Sequence, residues 1–261
     1  MWEWTAYGQT DRGLVRPTNQ DTFLVDNRHR LWAVADGMGG HPGGDVASRL
    51  VINTLGDFAP ALAKNASESG TEETSSTVCL TTMVEHAHAA ILAHAEHHPP
   101  LQGMGTTLVA AHLLLLPTPQ LLVINVGDSR AYLIRDTTIT QVTRDHTLIE
   151  EHVRDGRLTS EQAARHPDRH VLTRAMGLGP RIESDIFPYD PVKGDLMLLC
   201  SDGLTKMLTD EHILQTAMPY RRNPTLCAQA LIAAALKEGG IDNVTVVVCT
   251  MTEISEPENR H

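Results

Sequence analysis

Leu31-Trp32-Ala33-Val34-Ala35-Asp36-Gly37-Met38-Gly39-Gly40 carries an apolar run straight into an aspartate and then into glycines. The run reads as a strand, and the Asp-Gly step hands it over to a loop. The arrangement recurs. Leu196-Met197-Leu198-Leu199-Cys200-Ser201 leads into Asp202-Gly203, and a run ending at Val126 leads into Gly127-Asp128-Ser129-Arg130. Asn19-Gln20-Asp21 opens one apolar run, and Asp242-Asn243 opens the last, Val244 to Cys249. Aspartates at strand ends can meet at one point in space. Meeting carboxylates repel unless a positive group lies between them, and a hard divalent cation such as magnesium or manganese, which prefers oxygen ligands, fills that role.

Outward from this motif, apolar patterning predicts strands at 5–9, 22–26, 31–36, 106–115, 120–126, 131–135, 184–188, 195–200 and 243–250. Helices are expected at 44–62, with Val46, Leu50, Val51, Leu55 and Leu62 on one face, at 72–96, and at 224–238 before the stop signal Gly239-Gly240. Between the first two, 65–70 reads as a loop. Strands come in groups linked by tight Gly/Asp turns, with helices between the groups. That order argues for antiparallel sheets covered by helices, an α+β chain, rather than a doubly wound parallel sheet. The polar segment from Asp145 to Pro180, with short helical signals at 147–155 and 159–165, interrupts the strand series and reads as a lid or flap.

The totals narrow the function. A chain of 261 residues with 41% hydrophobic residues is globular and buries a sizeable core. A net charge of -11 argues against nucleic acid as partner, because phosphate backbones are held by clustered Lys and Arg. No apolar run approaches the roughly 20 residues of a membrane span. Met1-Trp2-Glu3-Trp4 lacks the basic and apolar regions of a signal peptide, and Cys79, Cys200, Cys227 and Cys249 form no C-x-x-C pair. A reducing, cytoplasmic setting is the expectation.

Asp36 and Asp202 each end a strand, Asp242 precedes one, and Gly37 lets its carbonyl approach a metal with no Cβ in the way. One carboxylate bridging two ions, with others completing each shell, makes a two-metal centre whose ions lie about 3.5–4 Å apart and acidify a shared water. That chemistry suits in-line attack on phosphorus. Arg16, five positions before Asp21, offers a guanidinium that matches two phosphate oxygens. His94 and His98 stand at helical i,i+4 spacing, and the preferred reading of their histidine-rich stretch is a solvated helix face. Ser129 and Ser201 read as turn or strand-end residues.

These motifs, together with Gly103-Met104-Gly105-Thr106-Thr107, Leu172-Thr173-Arg174-Ala175-Met176-Gly177 and Gly240-Ile241-Asp242-Asn243-Val244-Thr245, make the chain resemble the metal-dependent Ser/Thr protein phosphatases of type 2C, particularly the compact bacterial ones. The resemblance runs from residue 8 to residue 250. It implies a four-layer α-β-β-α sandwich of two antiparallel sheets flanked by helices, a single catalytic domain over 1–261 with a flap at about 145–180. It implies two central Mn2+ or Mg2+ ions and, in bacterial members, a third. Asp36 would bridge the central pair, the Gly37 carbonyl and Asp21 would serve one ion, and Asp202 and Asp242 the other. Asp128 would share the third ion with Asp202, and Arg16 would hold the substrate phosphate. The implied activity is hydrolysis of phosphoserine and phosphothreonine by direct attack of a metal-bridging hydroxide. Phosphorylated proteins would be the substrates, an opposing Ser/Thr kinase the counterpart, and a monomer the working form. A silent phosphoprotein-binding module and a metal phosphatase for small phosphoesters are the alternatives.

Two positions depart from the animal members of that family. An acidic residue there precedes the aspartate matching Asp21, where this chain has Gln20. A histidine thought to protonate the leaving oxygen follows their Asp-Gly pair, where this chain has Met38. His41, three residues on, is the candidate general acid, with a metal-bound water as the alternative.

Overall fold

Continuous apolar runs need cover on both faces, and a layered sandwich supplies it. The computed structural model describes residues 2–38, 43–68, 72–115 and 118–253. Its strands are β1 (Trp2–Asp11), β2 (Asp21–Asp26), β3 (Leu31–Asp36), β4 (Leu108–Leu114), β5 (Gln120–Val126), β6 (Arg130–Arg135), β7 (Thr138–Gln141), β8 (Asp185–Tyr189), β9 (Leu196–Cys200) and β10 (Val244–Glu253). Its helices are α1 (Gly44–Glu68), α2 (Glu72–His97), α3 (Leu148–Arg154), α4 (Ser160–Ala164), α5 (Asp202–Thr205), α6 (Asp210–Ala217) and α7 (Pro224–Lys237). Two five-stranded antiparallel sheets result, ordered β1-β10-β9-β6-β7 and β2-β3-β4-β5-β8.

Each central strand divides its side chains between two cores. Along β3, Leu31, Ala33 and Ala35 pack under α1 and α2, while Trp32 and Val34 enter the layer between the sheets. Along β10, Val244, Val246 and Val248 pack under α5, α6 and α7, while Val247 and Cys249 enter the same middle layer. The order is therefore helix, sheet, sheet, helix. Asn27 joins the two sheets. Its Oδ1 accepts from the Trp32 indole at 2.9 Å and from the Ala6 amide at 3.0 Å, and its Nδ2 donates to the Ala6 carbonyl at 3.2 Å. The buried Trp32 nitrogen is thereby satisfied, as a buried donor must be. Among the described residues no helix is long and apolar enough to cross a membrane.

The structure corrects the sequence reading at three places. The backbone stays helical through Glu68, so the expected loop at 65–70 is confined to its end; 69–71 lie outside the described residues. Strand β7 was not predicted, because Thr138-Ile139-Thr140-Gln141 is a short, largely polar edge strand. Helices α5 and α6 were also missed. In α6 the signal is Thr209, whose side chain accepts from the His212 amide and starts the helix.

One end of the sandwich gathers the motif residues. Asp21 faces Asp36 across the β2–β3 pair, and the Ser201 amide donates to the Thr245 carbonyl at 3.0 Å. Residues 145–180 grow from this end on two anchored feet. At the first, the His146 amide donates to the Gly127 carbonyl at 3.0 Å; at the second, the Met176 and Thr106 backbones exchange bonds of 2.8 and 3.1 Å.

Candidate active site

Asp21 is buried, and its Oδ2 accepts from Ser201 Oγ at 2.8 Å and Thr245 Oγ1 at 2.7 Å. Its Oδ1 is buried with no hydrogen-bond partner among the described residues. An orphaned buried carboxylate oxygen is costly unless something positive completes it. Burial, with Asp202 adding repulsion, holds the Asp21 carboxyl up at about 6 despite its two hydroxyl donors. Burial followed by repulsion from Asp21, Asp202 and Asp128 pushes Asp36 well above the usual range. Asp128 is pushed up to about 7 by burial and then by Asp202 and Asp145. Asp21, Asp36, Asp128 and Asp202 thus share one field of mutual repulsion.

Local backbone chemistry sets each of them in place. Asp202 opens α5 directly after β9. Asp128 sits in the β5–β6 turn, where Gly127 has φ of 104° and a Cβ would strike the Thr107 side chain. Thr107 is a hub: its Oγ1 accepts from the Asp36 amide at 3.1 Å and bonds Ser129 Oγ at 2.6 Å. Gly37 has a different reason. A Cβ there would collide with the Gly44 and Gln20 carbonyl oxygens, so the chain passes Asp36 only with glycine next.

Asp242 lies among cations instead. Arg16 grips it with Nε at 2.7 Å from Oδ1 and Nη2 at 2.9 Å from Oδ2, and Lys206 Nζ lies 2.8 Å from Oδ2. Lys206 Nζ is also 2.5 Å from Asp202 Oδ2. Burial pushes the Asp242 carboxyl up, but the bonds from Lys206 and Arg16 outweigh it and hold the group below the usual carboxylate range. Burial likewise works against the Lys206 charge, and the two aspartates overcome it, raising the ammonium above its ordinary value. Next to it, Asn243 fixes the 12–20 loop. Its Nδ2 donates to the Arg12 and Thr18 carbonyls at 2.8 and 2.9 Å, and its Oδ1 accepts from the Gln20 amide at 2.9 Å.

The structure therefore brings Arg16, Asp36, Gly37, Asp128, Asp202 and Asp242 to the wall of one cavity of about 1150 Å³, with Asp21 buried just behind Asp36. His41 lies outside the described residues. His94, in the last turn of α2, and His98, just beyond its end, are elsewhere, with rings stacked at 4.1 Å. Sequence reasoning missed Lys206, whose place four residues after Asp202 on a helix is the signal that would have found it. It also gave Ser201 and Asn243 no part in the site.

An oxygen-rich set of repelling carboxylates with one orphaned oxygen fits a hard divalent ion in donor chemistry. The fit is not yet a closed cage. Among the described residues no three His, Cys, Asp or Glu side chains converge closely enough to hold an ion, because Asp202 and Asp242 are turned onto Lys206.

Comparison with known proteins decides the family. Residues 15–238 match the family Protein phosphatase 2C. The chain belongs to the protein phosphatase 2C family. It is 40% identical over 247 residues to the serine/threonine protein phosphatase PstP of Mycobacterium tuberculosis, covering 94% of this chain and 44% of that protein, so it spans less than half of that relative's length. It is 37% identical over 243 residues to the serine/threonine phosphatase stp of Listeria welshimeri, covering 92% of this chain and 93% of the relative. In three dimensions it is similar to the catalytic domain of PstP in complex with two manganese ions, with a TM-score of 0.81 and 38% identity, covering 97% of this chain and 100% of the other. The two antiparallel sheets flanked by helices are those of this phosphatase family.

The raised carboxyls of this phosphatase 2C site set a pH dependence of stability. A carboxyl held above its unfolded value folds best protonated; its contribution is lost as pH rises from the unfolded value through the folded one, about 7 for Asp128, and Asp36 acts in the same direction. Buried His112 and His146, held low by burial, act with the opposite sign, but only below their ordinary value of 6.5. In excess chelator the thermal midpoint is therefore expected to fall as pH rises from about 6.5, where the histidines stop opposing it, through about 7, the folded value of Asp128. Saturating manganese, which binds ionised carboxylates, should flatten or reverse that slope. Scanning calorimetry at each pH measures it, and a rising midpoint in chelator would contradict the repelling cluster.

Proposed function

We propose that the chain is a metal-dependent protein phosphatase that hydrolyses phosphoserine and phosphothreonine. The observation that carries the proposal is the cluster itself: carboxylates that repel one another, one with an orphaned buried oxygen, set beside a guanidinium at the wall of a wide cavity. Asp36, Asp21 and the Gly37 carbonyl would hold one manganese or magnesium ion, Asp36, Asp202 and Asp242 the second, and Asp128 with Asp202 a third. Bound there, the ions lower the pKa of water and neutralise charge on the phosphoryl group.

The chain's own residues do the rest. Arg16 spends Nε and one Nη2 hydrogen on Asp242, and its guanidinium has further donors for phosphate oxygens. Asn243 and Ser48, which donates to the Gln20 carbonyl at 2.7 Å, keep the loop carrying Arg16 and Asp21 in register with the Asp36 end of β3. His41 is proposed as the acid for the leaving oxygen. Residues 145–180 form a flap: Glu150, Val153, Ala163 and Arg169 line the same cavity as Asp36, where a polypeptide carrying the phosphate would lie. The protein works as a cytoplasmic monomer opposed by a Ser/Thr kinase.

The test is turnover of phosphoserine and phosphothreonine peptides against a panel of sugar and nucleotide monophosphates, all with manganese. Preference for the peptides in kcat/KM supports a phosphoprotein substrate. Preference for the small esters moves the assignment to a small-molecule phosphatase on the same site.

A further inference from the structure

Among the described residues Lys206 places a charge of the metal's own sign on two metal-ligand candidates at once, Asp202 and Asp242, whereas Arg16 bonds Asp242 alone. Lys206 caps the C-terminal end of α5, one helical turn after Asp202, and its amide donates to the Asp202 carbonyl at 2.8 Å. From there Nζ reaches Asp202 Oδ2 at 2.5 Å and Asp242 Oδ2 at 2.8 Å, between the two carboxylates assigned to the second ion. Its charge is also felt by Asp36 and Asp128. The opposite side of the cluster has no such group. There Asp21 accepts from two hydroxyls, faces Asp36, and has no cation on it among the described residues.

We propose that Lys206 is a built-in counter-ion that competes with the divalent ion for Asp202 and Asp242, making that ion the weaker of the central pair. The proposal rests on the two-ion reading above. A carboxylate oxygen can give its lone pairs to an ammonium or to a metal ion in the same direction, not to both. An ion taking the lone pairs of Asp202 Oδ2 and Asp242 Oδ2 that now face the ammonium would have to displace it. The side chain is 22% exposed and lies along the wall of a cavity open to water, so it has somewhere to go. The first ion, at Asp36, Asp21 and Gly37, displaces no cation and binds more tightly. Occupancy of the second site, and with it the working state of the enzyme, then follows the free divalent-ion concentration.

Calorimetric titration with manganese alone, without substrate, tests this. The wild type should show a tighter and a weaker ion. Lys206→Gln, which keeps a polar side chain one atom shorter and removes the charge, should tighten the weaker affinity roughly 10- to 100-fold and leave the tighter one within about twofold, as expected for removing a unit charge at contact distance. Lys206→Arg should leave both near the wild type. Thermal scans give a second readout. In chelator Lys206→Gln should melt below the wild type, because two carboxylates lose their counter-ion, and saturating manganese should raise its midpoint by more than the wild type's. Two ions binding with affinities unchanged by Lys206→Gln, or tightened equally by Lys206→Arg, would overturn the role of Lys206 alone. No manganese uptake by either the wild type or Lys206→Gln would overturn the metal-centre reading with it.

Discussion

Asp36→Asn is expected to abolish turnover while leaving a folded, more robust protein in chelator. Asparagine keeps the shape at the end of β3 and the amide contact to Thr107, so the strand and its neighbours have no reason to move. The charge is what goes. Asp36 is opposed by its surroundings: burial, then Asp21, Asp202 and Asp128, all work against its ionised form. Removing it relieves that repulsion, so the midpoint in chelator should rise by several degrees, corresponding to about 1–2 kcal/mol. The same loss deprives both central ions of their shared ligand. Several kcal/mol of transition-state stabilisation disappear with them, or roughly 10³-fold or more in kcat. Stability rising as activity and manganese affinity fall separates a catalytic role from simple misfolding. Wild-type turnover in this variant would sink the bridging assignment.

Arg16→Ala is expected to lower kcat/KM for a phosphopeptide by roughly 10²-fold, the value of one or two charge-assisted hydrogen bonds to phosphate. Most of the loss should sit in KM, because the guanidinium grips phosphate oxygens in the bound substrate as well as during the reaction. Arg16 also shares Asp242 with Lys206, so the variant leaves Asp242 with its lysine partner and no bare buried charge. By the same competition that Lys206 exerts, losing the Arg16 contacts to Asp242 should tighten the second ion rather than weaken it and leave the first unchanged. A loss confined to kcat, with KM untouched, would mean that Arg16 acts on the transition state rather than on capture. A loss of manganese binding would place its role with the metals.

Strand β3 could be read to the residue because both of its faces are buried, which leaves an unbroken apolar run ended by Asp36. The same logic located β5 and the start of α7, where Asn223 caps the helix and Pro224 begins it. Polar elements were harder. In β7 edge exposure removes the apolar signal, and α5 spans only Asp202–Thr205. The aspartates were legible as chemistry because each lies at a strand end or within two residues of one. Their division into a repelling group and a cation-paired Asp242 was not, since it depends on Lys206 and Arg16 arriving from segments 36 and 226 residues away in sequence. Asn243 was legible as half of a motif, while its hold on the 12–20 loop is a tertiary fact.

Hydrolysis of a phosphothreonine peptide by the purified protein, with manganese and with excess chelator, alongside Asp202→Ala, bears most directly on the central claim. The two-metal reading predicts turnover that requires manganese, stops in chelator and is lost in the variant. Turnover that persists in chelator, or in Asp202→Ala, would contradict it.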